Sequence, residues 1–446
     1  MNKNFSAQPH LSALLPLGLF LAIFVGSGLY FQSVGTSFAF YQVAAPVAAL
    51  PAIILSVLLS RQKLTETVER FLTGAGHSNI MAMCMIYLLA GGFSAVAKAT
   101  GGVDAVVAVA ISVIPASFLL PGLFVVGALI STAMGTSMGT IAALAPIAAG
   151  VAGEAGLSIA LTAGAVTGGA MFGDNLSIIS DTTIAATRTQ GCEMKDKFRV
   201  NIAVAVPAAI LTIVLLLFQA QGTTIAEAKD ASMLLALPYA AILVMAVSGV
   251  NVFAVLLSGI ILAGLAGFIT TPDFTLLLFA KEIYNGFTGM QEIFILSIFI
   301  GGLGELMKAQ GGLLALERMV SSGIRRVAAG KGSTAIAEMG IGILVFLTNL
   351  CTANNTVAIL VTGSVAKNIA EANGVEPRRA AGTMDIFACI CQGLIPWGAQ
   401  VLLAASIFKI SPLDVVGNVH YCMILFLCTM VSFFIPWGKR KQEQTV

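Results

Sequence analysis

The chain has 446 residues, of which 58% are hydrophobic and 10% charged, with a net charge of +2 and a mean hydropathy of +0.95. So few charges cannot clothe a water-soluble globule of this length, and so small a net charge leaves no electrostatic footprint for nucleic acid. What remains is an all-α polytopic membrane protein, because the apolar runs are of helix length.

The first apolar run, 13–32, matches the roughly 20 residues that a helix needs to cross a hydrocarbon core of about 30 Å. It is too long for a signal-peptide core and lacks a small-residue cleavage site, so no cleavable signal is expected. A second run covers 38–60, an amphipathic stretch at 61–75 is predicted to lie along the bilayer plane, and a third run covers 78–97. Residues 117–153 then form an apolar arm, the polar tip "MGTSMGT" (Met134 to Thr140) and a second apolar arm. Polar irregular backbone at membrane depth is tolerated only inside protein or beside an aqueous cavity, which predicts a re-entrant hairpin. A helix starting near Leu157 runs into "GAMFGDNLSIISDTT" (169–183), where Gly168, Gly169 and Gly173 weaken helical continuity, so a broken helix is predicted over 157–190. The run 200–219 closes the first half.

The second half repeats this order: runs at 233–250 and 252–270, an in-plane stretch at 274–287, a run at 290–307, and another in-plane stretch at 313–328. A second hairpin is predicted over 332–370 with the tip "TNLCTANNT" (Thr348 to Thr356). A second broken helix follows over 380–408, in "DIFACICQGLIPWGAQ" (Asp385 to Gln400), where Gly393, Pro396 and Gly398 interrupt the helix. The last run is 415–437. Most of the seven cysteines lie inside apolar runs as small hydrophobes, and neither a disulfide framework nor a metal site is read from them.

Internal repetition supports two halves, 13–220 and 233–438. "GGFSAVAKATGG" (91–102) and "GGLGELMKAQGG" (301–312) match at an offset of 210. Thr132, Thr136 and Thr140 recur as Thr348, Thr352 and Thr356 at an offset of 216. Lys and Arg concentrate at 61–70, 188–199, 318–331, 367–379 and 439–441, while the repeat-mates of these segments carry almost none. The positive-inside rule therefore puts corresponding loops on opposite sides and both termini in the cytoplasm. The predicted fold is two inverted repeats of about five transmembrane helices, each with a re-entrant hairpin and a broken helix.

Each half thus supplies two irregular pieces that can converge near the bilayer midplane, the geometry in which transporters bind ions and solutes. A carboxylate in hydrocarbon costs a few kcal/mol, so Asp174, Asp181 and Asp385 should line a cavity, pair or be protonated. With Asn175, Ser177 and Thr182 they are the candidate cation ligands. Thr136, Ser137, Thr352, Asn354 and Asn355 at the hairpin tips are the candidate solute ligands. Four of them carry a structural alternative: Asp181 as a helix cap, Asn354 and Asn355 as partners for backbone at the tip, and Asp385 as a carboxylate snorkelling to an interface. Glu338 is either a proton-handling group or the partner of a nearby basic side chain. Glu305 and Lys308 form a local ion pair, and Lys98, His77 and His420 fall near membrane faces. No His-rich, paired-Cys or nucleophile motif supports an enzyme, and no cofactor is called for.

"GAMFGDNLSIISDTT" with the downstream "TRTQGC" resembles the signature of the NhaC-type sodium/proton antiporters, within the wider ion transporter superfamily. The tips "GTSMGT" and "TNLCTANNT" and the break "QGLIPWGAQ" extend the resemblance over most of the chain. It implies a dimerising scaffold domain, a transport domain moving by an elevator-like shift, and sodium binding around Asp174, Asn175, Ser177, Asp181 and Thr182. The expected function is Na+/H+ antiport across a bacterial cytoplasmic membrane, with Asp385 as a second carboxylate. That family also contains exchangers of organic acids and transporters of amino acids, which leaves a Na+- or H+-coupled organic solute as the alternative.

Overall fold

The computed structural model describes residues 9–36, 39–177, 180–220, 233–328 and 334–434, and the regular elements among the described residues are all helices. In the first half these are α1 (Leu15–Ser33), α2 (Ala45–Leu59), α3 (Leu64–Ala75), α4 (Ser78–Ala99), α5 (Gly102–Val113), α6 (Ala116–Met134), α7 (Ser137–Glu154), α8 (Ile159–Leu176), α9 (Asp181–Gln190) and α10 (Met194–Gln219). In the second half they are α11 (Leu237–Val247), α12 (Val252–Thr270), α13 (Leu276–Gly289), α14 (Gln291–Ala309), α15 (Gly312–Ala328), α16 (Thr334–Thr352), α17 (Asn355–Ala372), α18 (Pro377–Leu394), α19 (Ala399–Phe408), α20 (Pro412–Asn418) and α21 (His420–Ser432). Among the described residues 8 helices are long and apolar enough to cross a membrane, or up to 10 if two bent pairs each count as one. Lys331 and the terminal Lys439, Arg440 and Lys441, used above for orientation, lie outside the described residues.

The repeat is sharper in space than in sequence. α6 and α16 end at Met134 and Thr352, α7 and α17 begin at Ser137 and Asn355, α8 and α18 end at Leu176 and Leu394, and α9 and α19 begin at Asp181 and Ala399. Every one of these pairs is 218 residues apart, so the threonine register of 216 is off by two: the residue equivalent to Thr136 is Asn354, not Thr352. Threonines at every fourth position match themselves in several registers, whereas helix caps and breaks fix one. The earlier register of 210 holds for α4 and α14, which end at Ala99 and Ala309. Tyr87 and Ser297, related by that offset, touch each other at 3.2 Å, as do Cys84 Sγ and the Phe294 carbonyl at 3.8 Å. Equivalent residues meet only where a twofold relation passes between their helices, here between α4 and α14.

The repeated glycine pairs mark where helices cross. Gly91 and Gly92 of α4 lie against Gly286 of α13, and Gly301 and Gly302 of α14 lie against Gly74 of α3. A Cβ at Gly91 or Gly286 would strike the carbonyl oxygen of the other. Lipid is as apolar as leucine, so helices in a bilayer gain by close backbone approach at small residues. The amphipathic α3 and α13 are thereby clamped onto spanning helices of the opposite half.

The closest partners within a half are α6 with α8 and α16 with α18. Ser131 Oγ donates to the Ala170 carbonyl at 2.6 Å, and Asn349 Nδ2, at the equivalent place, donates to the Ala388 carbonyl at 2.9 Å. A side chain at Gly169 would land on the Phe124 carbonyl oxygen and 3.1 Å from Ala128 N, both backbone atoms that cannot rotate away. Gly169→Val is expected to cost about 1–3 kcal/mol or more, as overpacking does. Gly153→Ala, where nothing lies within 4 Å, should be neutral by the same thermal-stability measurement in detergent.

After its break each half reaches across to the other: α9 packs on α17, and α19 packs on α7. This exchange carries the two hairpin tips and the two breaks to one place. Two of the charges counted above for orientation point into the protein. Lys197 is 1% exposed and pairs with Asp385, and Arg379 is buried against Glu338. Sitting in the first turns of α10 and α18, both face the protein. Glu338 is therefore the partner of a basic side chain.

Candidate functional site

Both hairpin tips turn through the left-handed region, at Gly135 (φ 70°) and at Ala353 (φ 47°). Glycine adopts this backbone at no steric cost, whereas Ala353 is held there while its carbonyl accepts from Gln392 Nε2 at 3.2 Å. The next residue caps the second arm in each case. Thr136 Oγ1 accepts from Gly139 N, and Asn354 Oδ1 accepts from Val357 N. The N-termini of α7 and α17 consequently open at the meeting point, and the positive end of a helix favours an anion.

Asp174 uses one of these ends. Its Oδ1 accepts from Ser137 N at 3.1 Å, at the first residue of α7, and its Oδ2 accepts from Ser137 Oγ. From Ser137 a chain of bonds crosses to the second half. Gln400 Nε2 donates to Ser137 Oγ at 3.0 Å, and Gln392 Nε2 donates to Gln400 Oε1 at 2.7 Å as well as to the Ala353 carbonyl. Gln392 is the repeat-equivalent of Asp174. One half places a carboxylate where the other places an amide.

A cavity of about 280 Å³ lies between the tips and the breaks. Thr136, Ser137, Asp174, Asp181, Thr182, Asn354 and Asn355 all line it, together with Gln392, Gln400, Ser180 and Asn79. None of the described residues lining it is lysine, arginine or histidine. Asp181 is exposed into it from the first turn of α9. The cap of that helix is Ser180, whose Oγ accepts from Thr183 N at 3.2 Å, so the capping role considered for Asp181 falls to its neighbour. Ile178 and Ile179 between the two helices lie outside the described residues.

Asn175, Ser177, Thr352 and Asp385 do not line the cavity. Thr352 Oγ1 bonds back to the Thr348 carbonyl within its own tip. Asn175 Nδ2 donates to Tyr421 Oη at 3.2 Å, and the Ser177 carbonyl accepts from Thr183 Oγ1 at 2.8 Å. Asp385, fully buried, sits behind the first break: Lys197 Nζ lies 2.7 Å and Asn201 Nδ2 2.8 Å from its Oδ2.

Sequence reasoning passed over Gln392, Gln400, Lys197, Asn201 and Asn349 as site-forming residues. For the two glutamines a signal existed, since they are polar residues inside the apolar stretch that also contains Asp385. For Lys197 the only signal was that Asp385 needs a partner, and no spacing rule names one so far along the chain.

The cavity at the meeting of the two repeats thus holds two carboxylates and, among the described residues lining it, no basic side chain. The sequence profile of the Na+/H+ antiporter family matches residues 6–221 and again 219–438. The chain belongs to the Na+/H+ antiporter family. This family member is 26% identical over 399 residues to the Na(+)/H(+) antiporter NhaC of Bacillus subtilis (strain 168), covering 82% of this chain and 85% of that protein. It is 23% identical over 370 residues to the malate-2H(+)/Na(+)-lactate antiporter of the same organism, covering 75% of this chain and 77% of that one. Among solved structures the Alcanivorax borkumensis YdaH transporter is similar over 95% of this antiporter and 98% of its own chain, at 15% identity and a TM-score of 0.44. With its candidate membrane spans and its place in this antiporter family, the chain is a multi-pass membrane transporter.

Proposed function

We propose that this protein exchanges Na+ for protons across the cytoplasmic membrane of a bacterium, with both termini in the cytoplasm, and that the exchange takes place at Asp174 and Asp181. The observation carrying this reading is the cavity itself: two carboxylates, several amides and hydroxyls, and no basic side chain among the described residues lining it. A small hard cation needs several oxygen ligands, and Asp174, Asp181, Thr182, Thr136 and the amides of Asn354, Asn355, Gln392 and Gln400 offer them within one space. A carboxylate at membrane depth is compensated either by a cation or by a proton, and one group does not hold both. That competition couples the two fluxes. Asn175, Ser177 and Asp385 act from behind, shaping the break that presents Asp174 and Asp181.

Alternating access follows if the block α6–α10 with α16–α21, which the contacts of α10 and α21 with α8 and α18 hold together, shifts against the remaining helices in an elevator-like movement, the remainder serving as a dimerising scaffold. The crosswise packing of α9 on α17 and α19 on α7 supports a single moving body, because it ties both hairpins to both breaks. A second reading draws on the cavity volume of about 280 Å³, which exceeds the need of one bare ion. An amino acid or small organic acid, coupled to Na+ or H+, would fit there, and the malate/lactate relative keeps that class in view.

Purified protein in liposomes with an interior pH dye decides between them. Pulses of Na+, Li+ or K+ are expected to drive proton movement, with Na+ effective. Cation pulses that leave the dye unmoved, combined with an amino acid or carboxylate that raises thermal stability only in Na+, would transfer the assignment to the second reading.

A further inference from the structure

Lys197 stands in the first turns of α10, where a lysine ordinarily snorkels to the membrane face, yet its side chain runs inward and is 1% exposed. Its ammonium meets three oxygens: Asp385 Oδ2 at 2.7 Å, Thr183 Oγ1 at 2.7 Å and the Asn175 carbonyl at 3.0 Å. An ammonium has three N–H bonds, so its donors are filled. One turn on, Asn201 Nδ2 donates to two of the same atoms, the Asn175 carbonyl and Asp385 Oδ2. A carboxylate, a hydroxyl and a carbonyl at the C-terminal end of a half-helix also make up a ligand set for a small monovalent cation.

The enclosure has more acceptors than an ammonium can use. Asp385 Oδ1 and Asn201 Oδ1 are buried without a hydrogen bond among the described residues. Asn201 Oδ1 is turned toward α18 beside Gly382, one turn before Asp385. A spherical ion in place of the ammonium would take both oxygens of Asp385, and a half-turn of the Asn201 amide would present its Oδ1 where Nδ2 now bonds the Asn175 carbonyl and Asp385, whereas three directed N–H bonds leave these oxygens unused. The second half has no counterpart, since the positions 218 residues beyond Lys197 and Asn201 are Val415 and Val419.

We infer that the Lys197 ammonium is the resident occupant of a second alkali-cation site built from Asp385, Thr183, Asn201 and the Asn175 carbonyl. While this tethered charge is in place, Asp385 is compensated internally and takes no transported ion. Exchange is then confined to the Asp174 cavity, a consequence that rests on the reading given above. Shortening Lys197 vacates both the charge and the channel of its methylenes, and the enclosure becomes open to sodium and water.

The test is 22Na+ binding to the purified full-length protein. Lys197→Ala is expected to double the sodium bound at saturation relative to wild type, and Lys197→Ala/Asp385→Asn to return to the wild-type level. Lys197→Met, which refills the channel with apolar atoms, should add no sodium. Lys197→Ala/Asp174→Asn should keep the new site while losing the original one. If wild type binds no sodium and Lys197→Ala does, the antiport reading fails and the enclosure stands. Saturation binding by Lys197→Ala equal to wild type overturns the inference. So does a Lys197→Ala protein that unfolds equally in sodium and choline chloride while Lys197→Ala/Asp385→Asn stays folded in both, because a sodium ion in the enclosure must stabilise the folded state by mass action.

Discussion

Asp174→Asn is expected to lower the initial rate of sodium-driven proton movement in liposomes by about 100-fold or more, while the protein still purifies as a folded species. The replacement is isosteric: its amide oxygen still accepts from Ser137 N, and its amide nitrogen donates to Ser137 Oγ. What disappears is the negative charge at the mouth of α7. A charge-assisted contact in a buried site is worth about 1.5–3 kcal/mol, and about 1.4 kcal/mol corresponds to each factor of ten. The amide also has no proton to exchange in this range, so both halves of the cycle are affected. Dye-reported rates measured beside gel-filtration profiles check this, and turnover near wild type would remove Asp174 from the exchange site.

The second large effect is on stability. Arg379→Ala is expected to destabilise the folded protein by about 3–5 kcal/mol, the usual result of leaving one member of a buried ion pair alone. Arg379 Nη2 lies 2.5 Å from Glu338 Oε2, and Nε lies 3.2 Å from Oε1, a two-point contact that joins α18 to α16. The same guanidinium reaches the Ser432 carbonyl at 3.4 Å, tying in the end of α21. The double replacement Glu338→Gln/Arg379→Gln, which leaves no isolated charge, should recover most of the loss. Thermal unfolding in detergent reads both. Equal destabilisation of the single and double variants would mean that the residues matter through packing and not as a pair.

Much of this arrangement was legible beforehand because it rests on local chemistry. Pro396 and Gly398 break a helix wherever the chain goes, and α18 ends at Leu394 with α19 resuming at Ala399. The tips at Thr136 and Asn354 read as irregular because several polar residues in an apolar stretch must face protein or water. Asp174 and Asp181 stood out for the same reason, and both line the cavity. Asp385 stood out equally, yet it is paired behind the first break. Its cost in hydrocarbon said that it needs compensation and could not say by what.

Composition and local chemistry are enough to establish the class of molecule, the order of helix, hairpin and break in each half, and the few positions where polar groups enter the apolar stretches. Each of these follows from composition or from residues within a turn or two of one another. Tertiary structure alone decided which of those groups meet. Gln400 reaches Ser137 across 263 positions and Asn201 reaches Asp385 across 184, through helices of one half packed on those of the other. Such contacts are set by interhelical packing and by the twofold relation of the halves, and no local propensity distinguishes a lysine that will point at lipid headgroups from one that will be enclosed.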